Sequence, residues 1–207
     1  MPSKVNPDEQ ANFLKGTLMP AIEKAKAGLL ELFFMDASHF VMGGSPGKLW
    51  GKIRYWIKTS SGRKRYNVLG ALNFVSKKIE MVANDTYITS TQVVQLLEDI
   101  AVKYAGKAIA IILDNARYQK CALVTGKAAE LGIQLIFLPT YSPNLNLIER
   151  VWKFVKAQVL NAVYIETFKE YCERISGLVT HIEVEHADRM ASLVTERFQL
   201  FDKCILV

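Results

Sequence analysis

Helical and strand patterns alternate between residues 91 and 138, and this alternation restricts the fold more than any other feature of the chain. Thr91–Tyr104 carries apolar residues at helical spacing (Val93, Val94, Leu96, Leu97, Ile100, Ala101) and runs into Gly106, a helix-ending residue. Ala108–Leu113 is a short, continuous apolar run. Lys120–Leu131 returns to the helical pattern and closes at Gly132, and Ile133–Leu138 is a second buried run stopped by Pro139. A strand–helix–strand unit of this kind places its strands in parallel with a right-handed crossover.

The first half of the chain follows a different pattern. Asp8–Lys26 has helical spacing interrupted by Gly16 and Pro20 and closed by Gly28. Leu29–Met35 is a buried strand that ends at Asp36. After a Gly/Ser/Pro loop, Lys48–Lys58 alternates, with Trp50, Lys52, Arg54, Trp56 and Lys58 on one face and Ile53, Tyr55 and Ile57 on the other. Tyr66–Val75 and Lys78–Val82 complete an antiparallel meander. Asn146–Leu160 is an amphipathic helix, and Ile165–Phe201 reads as two helices covering the sheet. Parallel and antiparallel halves together require an α/β architecture, a mixed sheet with helices on its faces.

At 207 residues the chain is long enough for one full core. Its apolar runs are too short to span a bilayer, so no membrane is expected. Met1–Gln10 lacks the apolar segment of a signal peptide, which makes the cytoplasm the expected location. Cys121, Cys172 and Cys204 show neither pairing nor zinc spacing and read as free thiols.

The net charge of +6 is unevenly spread. No acidic residue lies between Asp36 and Glu80, while Lys48, Lys52, Arg54, Lys58, Arg63, Lys64, Arg65, Lys77 and Lys78 all do. So one-sided a field suggests a polyanion, and without a basic amphipathic helix there, nucleic acid fits better than a membrane surface. Cations alternating with tryptophans suit backbone contacts and base stacking. The same pattern also describes an edge strand protected by its lysines.

Three carboxylates stand at element boundaries. Asp36 and Asp114 follow apolar strands, where sites of α/β sheets gather, and where an aspartate can equally start a turn or cap a helix. Glu149 opens the helix Asn146–Leu160, so Asn146 and Glu149 can form a variant of a capping box. Beside the apolar stripe Ile148, Val151, Trp152, Val155 and Val159, Glu149 heads a flank with Lys153 and Lys156. An acid that holds a cation, followed by ammonium groups that track phosphates, is what a metal-assisted phosphodiester site needs.

The segments "FFMDASHF", "IILDNARYQK" and "LPTYSPNLNLIERVW" resemble the three catalytic blocks of DDE transposases, most closely those of the insertion-sequence-630 family of the Tc/mariner superfamily. The 34 residues between Asp114 and Glu149 match the spacing of that superfamily. The resemblance implies a ribonuclease H-like mixed five-stranded sheet with helices on both faces, in which Asp36, Asp114 and Glu149 cluster. It divides the chain into an N-terminal linker and helix (1–28), a catalytic core (29–162) and C-terminal helices packed on it (163–207).

The resemblance also implies two Mg²⁺ or Mn²⁺ ions held by the three acids, with Asp36 bridging. The implied activity is cleavage and strand transfer on double-stranded DNA, both transposon ends and target, by a protein that acts as a dimer on paired ends. The expected DNA contacts are Lys52, Arg54, Lys58, Arg63, Lys64, Arg65, Lys153 and Lys156, and His39 and Asn115 are candidates for a supporting role at the site.

The chain departs from the family pattern at Gln119, where a histidine is common, and at Leu147, where a proline is. The helix-turn-helix region that reads inverted repeats in such proteins is not represented, and is expected to be separate or missing. Two other readings stay open: another ribonuclease H-like nuclease, such as a junction resolvase, and a non-catalytic DNA-binding remnant.

Overall fold

The computed structural model of the chain describes residues 6–43, 64–160 and 165–200. Five strands form one sheet: β1 (Glu31–Val41), β2 (Arg65–Asn73), β3 (Ile79–Asn84), β4 (Ile109–Leu113) and β5 (Ile133–Phe137). Their spatial order is β3-β2-β1-β4-β5. The meander strands β1, β2 and β3 pair antiparallel, and β4 pairs parallel with both β1 and β5. This is the mixed sheet of a ribonuclease H-like fold. The alternating basic segment Lys48–Lys58, and with it Lys52, Arg54, Lys58 and also Arg63, lies outside the described residues, as does Cys204.

Period-2 alternation divides the strand residues between two cores. Phe33, Met35, Leu69, Ala71, Ile111 and Leu113 face α3 (Ser90–Lys103) and α4 (Ala122–Glu130), meeting Val93, Leu96, Leu97, Ile100, Val124 and Ala128. Leu32, Phe34, Val68, Leu72, Ala110 and Ile112 face the other way. They meet α5 (Ile148–Leu160) through Ile148, Val151, Trp152 and Val155. Each fully buried Phe or Leu contributes about 1.5–3 kcal/mol relative to exposure. Behind α5, α6 (Phe168–Glu185) adds Ile175, Val179 and Ile182 and α7 (Ala187–Leu193) adds Met190 to the same core.

The interruptions expected at Gly16 and Pro20 do not break the N-terminal helix. α1 (Pro7–Phe13) continues through a π-helical turn, Leu14–Leu18, into α2 (Met19–Lys26). Pro20 cannot donate to a carbonyl one α-turn back, and the wider turn before it, with Pro20 at the start of α2, accommodates that loss.

β1 departs more consequentially from expectation. The strand does not end at Asp36 but runs five residues further, because Ala37–Val41 find antiparallel partners in Leu69–Arg65. Asp36 is therefore a mid-strand residue opposite Gly70.

Candidate active site

The parity of β1 decides which way Asp36 points. Phe34 and Phe40 belong to the core under α5, and the pairing with β2 is regular from Phe33 to Val41, so Asp36 faces α5 as well. Its parallel neighbour pairs Phe34 with Ile112, and the same register carried two residues on brings Asp36 abreast of Asp114. Asp114 follows the last residue of β4, and its Oδ1 accepts a hydrogen bond from the Ala116 N–H at 2.9 Å. It is thus a turn former as well as a candidate acid.

Glu149 arrives from the opposite layer, in the first turn of α5. How close that turn can come is set by Gly70. A Cβ there would sit 2.7 Å from Trp152 Cζ2 and 3.2 Å from Ile148 Cδ1, so only glycine lets α5 rest on β2 beside Asp36. Trp152 is itself buried and meets Phe40 edge-on, with ring centroids 6.3 Å apart.

Asn146 does not cap α5 with its side chain. Its Nδ2 donates 3.1 Å to the carbonyl of Met35, and only its backbone carbonyl receives the Glu149 N–H. The loop before α5 is thereby tied to the residue before Asp36, while Asn146 Oδ1 is buried without a partner.

Asp36, Asp114 and Glu149 line one cavity of about 300 Å³, with Asn115, Thr140, Tyr141, Ser142 and Asn146 among its other walls. Burial pushes Asp36 up to about 8, Glu149 and Asp114 add to the rise, and the Ala37 N–H and Lys156 oppose it. Tyr118 is pushed up to about 12, first by burial and then by the charges of Asp36 and Asp114. Among the described residues no three Asp, Glu, His or Cys side chains are gathered as a ready metal centre. The three acids share a cavity wall rather than a closed cage. Their donor set, all carboxylate oxygen around a carboxyl that burial first and then its acidic neighbours disfavour as an anion, still suits a hard divalent cation.

The supporting residues separate. Asn115 lines the cavity and holds the loop after β4, its Nδ2 donating to the Leu138 carbonyl and its Oδ1 accepting from Lys120 at 3.2 Å. His39 has the opposite parity to Asp36, is exposed on the other face of β1 and is absent from the cavity wall. Burial, Lys156 and Arg65 all hold its imidazole below the usual range. Lys153 and Lys156 do not form one row. Lys156 lies over the Phe40 ring at 5.7 Å, on the Asp36 side, whereas exposed Lys153 lines a separate groove with Arg150, Phe154 and Arg189. Lys64 sits over Phe168 at 5.5 Å, and Arg65 is exposed at the start of β2. Sequence reasoning missed Gly70, although a glycine inside an apolar strand is itself a sign of close backbone approach.

The DDE superfamily endonuclease family matches residues 31–172 of the chain. No curated protein matches it. Among solved structures, the Mos1 strand transfer complex aligns with 98% of this chain and 65% of its own, at 12% identity and a TM-score of 0.58. The mariner Mos1 paired end complex with Mg aligns at 13% identity and a TM-score of 0.60, covering 98% and 66%. The catalytic domain of Mos1 mariner transposase is covered completely, with 98% of this chain, at 12% identity and a TM-score of 0.56. The chain thus spans about two thirds of the transposase in those complexes and the whole of its catalytic domain. With the family profile covering well over half of its residues, the chain belongs to the DDE superfamily endonucleases.

Proposed function

We propose that this chain is the catalytic domain of a cut-and-paste DNA transposase of the insertion-sequence-630 family, with Asp36, Asp114 and Glu149 as its catalytic carboxylates. The observation that carries the reading is their convergence from β1, the end of β4 and the start of α5 on one cavity, with Asp36 pushed up to about 8. The three acids would hold two Mg²⁺ or Mn²⁺ ions, which when bound activate a water or a DNA 3′-hydroxyl and stabilise the leaving oxygen of an in-line displacement.

The residues themselves supply placement. β1 and β4 hold two acids on a rigid sheet, α5 brings the third, and Lys156 and Lys153, three residues apart on α5, offer charge to a phosphate backbone. Arg65 and Lys64 belong to the basic surface proposed to bind DNA, and Lys52, Arg54, Lys58 and Arg63, which lie outside the described residues, are proposed from the sequence as further contacts. Recognition of transposon ends is proposed to belong to a separate or missing helix-turn-helix domain, and the working unit is proposed to be a dimer on paired ends.

The competing reading is a non-catalytic DNA-binding remnant, and the absence of a gathered metal centre among the described residues is the observation on its side. Incubation with supercoiled plasmid and Mn²⁺ separates the two. The transposase reading expects nicking that falls on the order of 10³-fold in Asp114→Asn and Glu149→Gln. Nicking that survives Asp114→Asn unchanged overturns the assignment, and salt-sensitive binding without any nicking supports the remnant. Precut ends then test joining, which a nuclease without strand transfer does not perform.

A further inference from the structure

Gln10 is almost completely buried, at 1% exposure, although it belongs to α1, outside the residues that match the family. Its side-chain amide is spent on the loop that precedes Glu149. Nε2 donates to Ser142 Oγ at 2.9 Å and to Asn144 Oδ1 at 3.4 Å, and Oε1 accepts from Asn144 Nδ2 at 3.3 Å. The second Asn144 Nδ2 hydrogen goes to the Gln199 carbonyl at 2.7 Å, and Ser142 Oγ donates to the Thr140 carbonyl at 3.3 Å. One amide from the N-terminal helix thus bridges two loop residues that are joined in turn to Thr140 and to the C-terminal segment.

The same loop carries Tyr141 at φ +58°, a left-handed conformation that an aromatic residue adopts only when its surroundings hold it there. Thr140, Tyr141, Ser142 and Asn146 all line the acidic cavity, and Glu149 follows three residues after Asn146. The N-terminal helix cannot easily give way, since Leu18 of its π-helical turn and Ile22 and Ala25 of α2 are buried in the core under α5, and Phe13 at the end of α1 packs against that core.

We infer that Gln10 is a positioning residue for Glu149. Its amide locks the 140–146 loop in the conformation that turns the first turn of α5 toward Asp36 and Asp114. The inference rests on the reading of this cavity as the catalytic site. A leucine of similar volume at position 10 would fill the space but take the Gln10 amide away from buried Ser142 Oγ and from Asn144, leaving the loop held only by the bonds to Thr140 and Gln199.

The test is Mn²⁺ binding to the DNA-free protein, read by electron paramagnetic resonance, beside the melting temperature. Gln10→Leu is expected to weaken Mn²⁺ binding about 10-fold, the lower end of the range for groups that orient metal ligands. Ser142→Ala, which removes one of the Gln10 hydrogen bonds together with Ser142's own to the Thr140 carbonyl, gives a loss in the same direction and serves if Gln10→Leu fails to fold. In a Glu149→Gln background Gln10→Leu should cause no further loss, because its effect passes through Glu149. Unchanged affinity in folded Gln10→Leu, or losses that add in the double variant, overturns the inference. If Asp36→Asn and Glu149→Gln also leave Mn²⁺ binding unchanged, the catalytic reading itself fails, and the two failures are thereby told apart.

Discussion

On the α3–α4 face of the sheet, two buried polar residues of β2, Asn67 and Asn73, sit near the ends of the strand with their hydrogen bonds made. Asn67 donates to Asn84 and to the Thr86 carbonyl, and Asn73 bonds Glu31 and two backbone N–H groups. Between them the core is apolar throughout. On the α5 face the same strands carry Asp36 in the middle of β1, three acids around one cavity, and buried Asn146 Oδ1 and Trp152 Nε1 without partners. A face optimised only for stability would not hold these groups, since each buried polar atom left unpaired costs about 1–3 kcal/mol. One layer stabilises the sheet, and the other uses that stability to hold acids where they would not otherwise stay.

The difference can be sharpened from the stable side first. Leu97 is fully buried between α3 and the sheet, and Leu97→Ala should destabilise the protein by about 2–5 kcal/mol. Chemical denaturation measures the loss. Mn²⁺ affinity of the protein that remains folded is expected to stay at the wild-type level. A parallel fall in both would show that the two faces are not energetically separate.

Gly70→Ala works from the other side and should cost less, about 1–3 kcal/mol for overpacking. The added Cβ would stand 2.7 Å from a ring atom of Trp152, which is too enclosed to swing away, so α5 has to lift. Glu149 moves with the helix, so nicking should fall further than the stability loss explains. Trp152→Phe in the same chain removes the ring atoms concerned and should restore part of the activity. Wild-type nicking by Gly70→Ala would break the link between this contact and the site.

How much of this was legible in the sequence depended on the range of the interactions involved. Asp114 and Glu149 were read correctly as boundary residues because β4 ends, and α5 begins, by local pattern. Asp36 reads as a strand end because the apolar run stops there. The five further residues of β1 are held by pairing with β2, a partner across a long connection. Asn146 read as a cap because the local motif permits it, whereas its side chain is claimed by Met35, 111 residues away in sequence. Gln10 gave no signal at all, because its partners lie 132 and 134 residues along the chain. Nearness along a strand says nothing about facing: the odd offset of His39 from Asp36 places it on the other side of the sheet.

A further expected effect is a tilt of stability with pH, and Asp36 sets its sign. In the folded protein without metal its carboxyl is pushed up to about 8, above the ordinary 3.8 of the unfolded chain. Between those two values the folded state keeps a proton that the unfolded chain has released, so unfolding releases it and stability falls as pH rises. The contribution is complete below about pH 4 and lost by about pH 8, opposite to the behaviour of a carboxylate held in an ion pair. Melting temperatures of wild type should therefore decline across this window relative to Asp36→Asn, whose side chain does not titrate. A divalent cation competes with the same proton, so added Mg²⁺ should stabilise wild type more at pH 8 than at pH 5 and leave Asp36→Asn nearly unmoved. Parallel curves for the two proteins, with and without Mg²⁺, would show that Asp36 is not held by burial and by its two acidic neighbours, and the contrast between the faces would then rest on packing alone.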